Sequence, residues 1–544
     1  MLRKLLTSLC LTAIGVVPVY ADAPIVRNGK PLRNRYIVTF KNDVSAAQVN
    51  GLAKALAHQH GGRLLATMTS AMRGFGVELP EPAIQGLSRN PLIALIEEDQ
   101  LVELASGAEP TRNNAADPRF DFRGTMRPAT PIVTSTTSCP WNAGGYYACS
   151  YTDDTFWNLD RIDNTGQLYG VKAYAYNSMG TNVRAYVVDT GVYAAHSEFD
   201  SRVVSGANMT VDPDIADTKQ RSDEEEPVAL DYAPETNPCF GWQTADAGVG
   251  HGTAVASVIG GNTTGVAKNV TIVPVKIMNC GGEGSMLAMA RGLDWIYKDM
   301  KCYNKPADQV VDPDTDPQCS ARPNRAVVNM SIIADANFGN IYCEDPYSQS
   351  PPGYSLCISS LEHEVNTLIG GNIPVVVAAG NQNNQFCVKS PSRLGYGNES
   401  AVPSTYRTIT VGATAFDPTT YADQRWSCTD TPAQCPSPWN SSNDPGSNYG
   451  RCVSIWAPGW SVKVAGAGGA TSYRSPGQFS TGTSFAAPLV AGAVARLLQR
   501  YSTMSATQVW TELVNRANQR VSPPDFDPLS TVFNNKLLYM SPFE

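Results

Sequence analysis

Val183-Arg-Ala-Tyr-Val-Val-Asp189-Thr-Gly191 is a short apolar run closed by a carboxylate and a glycine. Runs of this kind, without alternation, suit strands buried on both faces of a parallel sheet. Similar runs occur at Val270–Ile277, Ala326–Ile332, Ile373–Ala378 and Thr408–Val411, bounded by Gly and Asn. Helical patterns separate them, as over Ser285–Lys298 and Tyr354–Gly370. The order predicts an α/β domain with a doubly wound, mostly parallel sheet, in which sites form beyond the carboxyl ends of the strands. Asp189 lies at such an end, and so does Asn381, which closes Val375-Val-Val-Ala-Ala-Gly-Asn381.

Two further stretches supply the partners of Asp189. His251 opens His-Gly-Thr-Ala-Val-Ala after Gly250, and Ser484 sits in Gly482-Thr-Ser-Phe-Ala-Ala-Pro488. A serine hydroxyl is a weak nucleophile near neutral pH, so it needs an imidazole to take its proton and return it to the leaving group. A carboxylate on the other ring nitrogen fixes the tautomer and stabilises the imidazolium. Asp189, His251 and Ser484 are the candidate catalytic residues. Past the N-terminal region the other histidines are His196 and His363. The first reads as structural, and the second, between Glu362 and Glu364, as a solvated helix residue. From Ser484 onward the chain is apolar nearly all round, which predicts a buried helix with Ser484 at its N-terminus. Free N–H groups there favour a developing negative charge, and Asn381 supplies a side-chain amide as the second oxyanion donor.

Asp189-Thr-Gly, Gly250-His-Gly-Thr, Ala378-Ala-Gly-Asn381 and Gly482-Thr-Ser-Phe-Ala-Ala-Pro488 together resemble the signatures of the subtilases, with details similar to the proteinase K and aqualysin branch. The resemblance spans about Trp157 to the C-terminus and implies a serine endopeptidase acting on protein or peptide substrates. It also implies that Ser331, Ile332 and Ile333 pair with the substrate backbone, and that Ala378, Ala379 and Gly380 contribute to binding. The family commonly has Ser-Leu-Gly-Gly where this chain reads Ser331-Ile-Ile-Ala334, so Ile333 should narrow or reshape the primary pocket. Ala254 and Phe485 also depart from the usual histidine and methionine, at positions that move no proton.

The region before residue 106 has its own alternation. Arg35–Lys41 reads as a strand, Ser45–His58 as a helix, Gly74–Leu79 as a strand, Glu81–Ser88 as a helix and Ile93–Leu104 as a strand pair. This small α+β unit, residues 35–105, resembles the inhibitory propeptide of subtilases. That implies a self-cut zymogen whose own propeptide is an intramolecular inhibitor, with the propeptide ending near Leu104-Ala-Ser-Gly-Ala108. An independent binding module is the competing reading. Residues 106–155, rich in Pro, Asn, Ser, Thr and Gly, read as a linker or N-terminal extension, and 156–544 as the peptidase domain.

Residues 1–23 carry a basic start, an apolar stretch and small residues at Ala21 and Ala23, the pattern of an export signal too short for a membrane anchor. The protein is therefore expected to be secreted, extracellular or periplasmic, and monomeric. With 41 basic against 49 acidic residues and a net charge of −8, no basic patch supports nucleic-acid binding. Of 13 cysteines, Cys10 leaves with the signal, and the even remainder in an exported chain suggests disulfides of undetermined connectivity. The aqualysin resemblance implies Cys239 with Cys280 and Cys387 with Cys452. Near-neighbour pairing gives Cys139 with Cys149, Cys302 with Cys319, Cys343 with Cys357 and Cys428 with Cys435. No Cys-x-x-Cys points to zinc, and the chemistry needs no cofactor. Acidic insertions at Asp212–Glu235 and around Asp308, Asp312, Asp314 and Asp316 suit structural calcium, with no ligand set assigned. A catalytically silent homologue acting as a binding protein is one alternative. The other, an esterase, lacks the Gly-x-Ser-x-Gly elbow around Ser484.

Overall fold

The computed structural model describes residues 22–27, 30–104, 139, 146–150, 156–164, 173–204, 206–210, 250–278, 282, 284–301, 325–335, 342–344, 354–356, 359–384, 389–396, 407–417, 422–427, 445–450, 452–474, 480–519, 521 and 535–541. Among them the central sheet runs, edge to edge, through Asn518–Gln519, Lys536–Leu537, Ile455–Pro458, Ile409–Asp417, Val375–Ala378, Ala326–Met330, Arg184–Asp189, Thr271–Lys276 and Ala207–Asn208. From Arg184–Asp189 the chain lays strands to one side through Thr271–Lys276 and to the other through Ala326–Met330, and both of these pairs are parallel. The strand order therefore reverses beside Asp189, where a doubly wound sheet opens its crevice.

The apolar runs explain the layers. Ala185 and Val187 pack in one buried cluster with the helices His251–Gly260 and Thr483–Arg500, while Tyr186 and Val188 pack in another with Met286–Lys301 and Ser360–Gly370. Successive side chains of a strand point to opposite faces, so a strand covered on both sides must be apolar throughout. The histidine helix and the serine helix thus share one face of the sheet.

Three expected boundaries change. The run Ala326–Ile332 is broken at Ser331, and Ile332–Asp335 turns away to pair antiparallel in a second sheet. The helix expected over Tyr354–Gly370 begins at Ser360, because Ser359 caps it by accepting from the Glu362 N–H at 3.1 Å; Tyr354–Leu356 is instead a strand paired with Tyr342–Glu344. Ile93–Leu104 is a single strand of 12 residues rather than a pair. Within its acidic middle, Glu97-Glu-Asp-Gln100, Glu97 and Asp99 project from the same face into helix termini of the neighbouring unit.

That strand joins the two units. In the N-terminal unit it pairs with Pro31–Phe40, beside Gly74–Glu78 and Arg63–Met68, and the helices Ala46–Gln59 and Glu81–Leu87 complete the unit. The short strand Ile25–Val26 pairs with it as well. Its last residues leave this sheet's company and lie between Ile332–Asp335 and Gly284–Ser285 of the larger domain.

Candidate active site

Asp189 and His251 meet as expected. His251 Nδ1 lies 2.8 Å from Asp189 Oδ1 and 3.0 Å from Oδ2, with the carboxylate 0% and the imidazole 2% exposed. Their backbones are tied by Thr190. Its N–H donates to Asp189 Oδ1 at 2.8 Å, and its hydroxyl accepts from the Gly252 N–H at 2.9 Å. Gly252 must be glycine here, since an added Cβ would stand 2.1 Å from the Gly191 carbonyl oxygen. The Thr190 carbonyl accepts from the buried Lys276 ammonium at 2.7 Å. Thr190 and Lys276 escape a sequence reading, although Thr190 stands inside the Asp-Thr-Gly motif.

The serine helix runs Thr483–Arg500, entered through Gly482 at φ +134°. Ser484 is buried at its first turn, and its hydroxyl donates to the Ser331 carbonyl at 3.3 Å. His251 Nε2 is buried without a hydrogen bond among the described residues, and the His251 ring lies 5.7 Å, centroid to centroid, from that of Phe485. The imidazole thus carries an unpaired nitrogen and packs against a residue of the helix that carries the serine. Asn381, also buried, accepts from the Thr483 N–H and hydroxyl at 2.9 Å each. Anchoring its oxygen orients the amide, whose nitrogen sits 2.9 Å from where a Cβ on Gly482 would be. Gly380, at φ +99°, donates to Thr483 Oγ1 at 3.1 Å, which ties Ala378-Ala-Gly380 to the same turn.

The expected binding strand is occupied. Leu104 pairs with Ile332, Glu103 with Ile333 and Val102 with Ala334, while Val102 also faces Gly284 and Leu101 faces Ser285. Ser331 and Ile332 border this strand, and Ile333 is 2% exposed. Val102 is 1% exposed in a cluster with Met278, Met286 and Ile332. Burial of such a side chain is worth roughly 1.5–3 kcal/mol. Gly284–Ser285 flanks the same strand from its other edge, with no signal in the sequence.

Carboxylates hold the two units together. Asp99 pairs with Arg35 at 2.8 Å and accepts from the Leu287 N–H, at the start of Met286–Lys301, at 3.0 Å. Glu97 accepts from the Ser360 N–H at 2.8 Å and from the Ser360 hydroxyl, so each helix has its N-terminus capped from the other unit. In return Asp294 accepts from the backbone N–H groups of Thr69, Ser70 and Ala71 at 3.1, 2.6 and 2.7 Å. Burial pushes Glu97 up to about 8 and raises Glu364 well above the usual carboxylate range, with the charges of Asp294 and Glu97 adding to the rise at Glu364. Neither Glu364 oxygen has a hydrogen bond among the described residues. His363, expected to be solvated, is half-buried beside these groups, and burial lowers it to about 4. His196 is structural as expected, its Nε2 lying 2.7 Å from the Ser472 carbonyl.

Cys139 and Cys149 are joined by a disulfide, and Cys452 is disulfide-bonded with its partner outside the described residues. The remaining pairings and the acidic insertions also lie outside them, so calcium is not placed. Among the described residues no His, Cys, Asp and Glu group could hold a metal, and no helix is long and apolar enough to cross a membrane.

A buried acid–base pair facing a serine helix, with a strand from a small inhibitor-like unit lying in the cleft, defines a serine endopeptidase. Residues 180–531 match the model of the subtilase family and residues 35–105 that of peptidase inhibitor I9, and the chain belongs to the subtilase family. It is 29% identical to an extracellular serine proteinase of Thermus sp. over 95% of this chain and 94% of that protein. It is also 29% identical to alkaline serine exoprotease A of Vibrio alginolyticus, over 75% of this chain and 54% of that protein. The crystal structure of fervidolysin from Fervidobacterium pennivorans shares the fold, with a TM-score of 0.55 at 18% identity over 95% of this chain and 62% of that one.

Proposed function

We propose that the protein is exported as a zymogen, cuts its own chain within the stretch that follows Leu104, and then hydrolyses peptide bonds through an acyl-enzyme at Ser484. The observation that carries this reading is the antiparallel seating of Val102–Leu104 against Ile332–Ala334. It ends one residue short of Ser331, whose carbonyl receives the Ser484 hydroxyl. Rotation of that hydroxyl from Ser331 to the unpaired His251 Nε2 readies attack. His251 takes the proton as the Ser484 oxygen bonds to the carbonyl carbon, and Asp189 stabilises the imidazolium. The oxyanion is met by the N–H groups of the helix terminus and by the Asn381 amide. His251 then returns the proton to the leaving amine, and water repeats the sequence to free the acid. The extracellular character named for the relatives supports export.

The test is a Ser484→Ala chain beside the unchanged one. A fluorophosphonate should label only the unchanged protein, and the variant should accumulate an uncut form that retains Tyr36. Normal processing of the variant would assign maturation to another protease, and absence of labelling would leave a silent homologue.

A further inference from the structure

We infer that Ile333 restricts cleavage to bonds that follow a small residue, alanine above all; the inference rests on the endopeptidase reading and names its substrate class. The pleat rule decides which side chain meets Ile333. Residues directly opposite in an antiparallel pair share a face, and the next residues on that face are two positions away. Glu103 lies opposite Ile333. In a substrate strand held in this register, the residue that follows the Leu104 position faces Ser331, with Ile333 as its diagonal neighbour on the same face. This is the residue whose carbonyl meets Ser484, because Ser331 and Ser484 are joined by hydrogen bonds in both directions, at 2.9 and 3.3 Å.

Ile333 points to the sheet face that carries the serine helix. It is buried in one apolar cluster with Ala378 and Phe485, whereas its neighbours Ile332 and Ala334 belong to the cluster on the other face. The far wall, Ala378-Ala-Gly380, is pinned to Thr483 through the Gly380 N–H. A branched four-carbon side chain therefore stands on the face where, in this register, the side chain before the scissile bond would lie. The chain's own sequence agrees independently: the residues that follow Leu104 are Ala-Ser-Gly-Ala.

Two otherwise identical chromogenic tetrapeptide anilides, one ending in Ala and one in Phe, test this on the matured enzyme. The unchanged enzyme should favour Ala in kcat/KM by at least about tenfold, and Ile333→Gly should raise the Phe-to-Ala ratio by about 10²-fold or more, since one methylene in a specificity pocket is worth roughly 10–200-fold. Ile333→Val, which preserves the fold more conservatively, should move the ratio the same way by less. In the full-length chain, Ala105→Phe should slow self-cutting, and adding Ile333→Gly should restore it. A preference for Phe in the unchanged enzyme, or a ratio indifferent to both substitutions, overturns the inference while fluorophosphonate labelling still upholds the endopeptidase. Loss of labelling together with turnover of both substrates overturns the two together.

Discussion

The Ser331 hydroxyl donates to the Ser484 carbonyl at 2.9 Å, the carbonyl four residues before Pro488. A helix carbonyl at this position normally receives the N–H four residues on, which proline lacks. Ser331 thus supplies the missing donor and ties the binding strand to the nucleophile's own backbone. Ser331→Ala should leave that carbonyl unsatisfied in a dry site, costing about 1–3 kcal/mol. In a Ser484→Ala background, which excludes self-digestion, the thermal midpoint should fall by several degrees, and an unmoved midpoint would remove Ser331 from this role.

With the amide in the proposed oxyanion role, where it serves only the charge that develops in the transition state, Asn381→Ala should lower kcat by about 10²–10³ with KM little changed. Steady-state kinetics on a peptide anilide measure it. Since Asn381 also accepts from Thr483, Asn381→Asp keeps the acceptor and removes the amide donor; it should be equally slow if the donor matters. A variant with near-normal kcat would place the oxyanion elsewhere.

The contact between the two units should weaken as pH rises. Glu97 is neutral up to about 8 when docked, and would titrate near 4.5 when freed. The docked form therefore holds more protons than the separated parts, and its advantage is complete below 4.5 and lost on the way to 8. Glu364, raised in the same direction, adds to the loss. The groups around them are Asp294, Glu362 and Arg393 on the larger domain, and Arg73 beside His363. His363, lowered to about 4 from 6.5, opposes docking below 6.5, so the steepest release falls between about 6.5 and 8. Glu364→Gln, neutral at every pH, should flatten the inhibition constant of the isolated N-terminal segment against pH; an unchanged slope would exempt Glu364.

Asp189, His251 and Ser484, the proposed catalytic trio, stand out in sequence because each sits in a short glycine-bearing motif at a strand end or helix start. Gly252 and Gly482 carry geometric demands that leave a trace in the sequence. The second flanking strand, Gly284–Ser285, leaves none, because it pairs through backbone atoms that any residue possesses. The docking carboxylates are hidden for a different reason. Glu97 and Asp99 make sense within a strand only once helices from a distant part of the chain present their free N–H groups to them. His363 misleads for the same cause, since flanking acidic residues signal water unless another unit covers them. Ser331 shows a finer limit: an apolar run announces a strand, but not the residue at which it changes sheets.

Ile93–Leu104 is structural timber for one sheet and a plug for the cleft of the neighbouring domain. Hydrolysis just beyond it would sever the covalent link and leave the plug in place, so the newly cut enzyme would remain gagged by its own former head. Liberation then requires tearing a strand out of shared masonry. On the proposed course of maturation, the delay between scission and activity would be governed by how long that small unit keeps its shape.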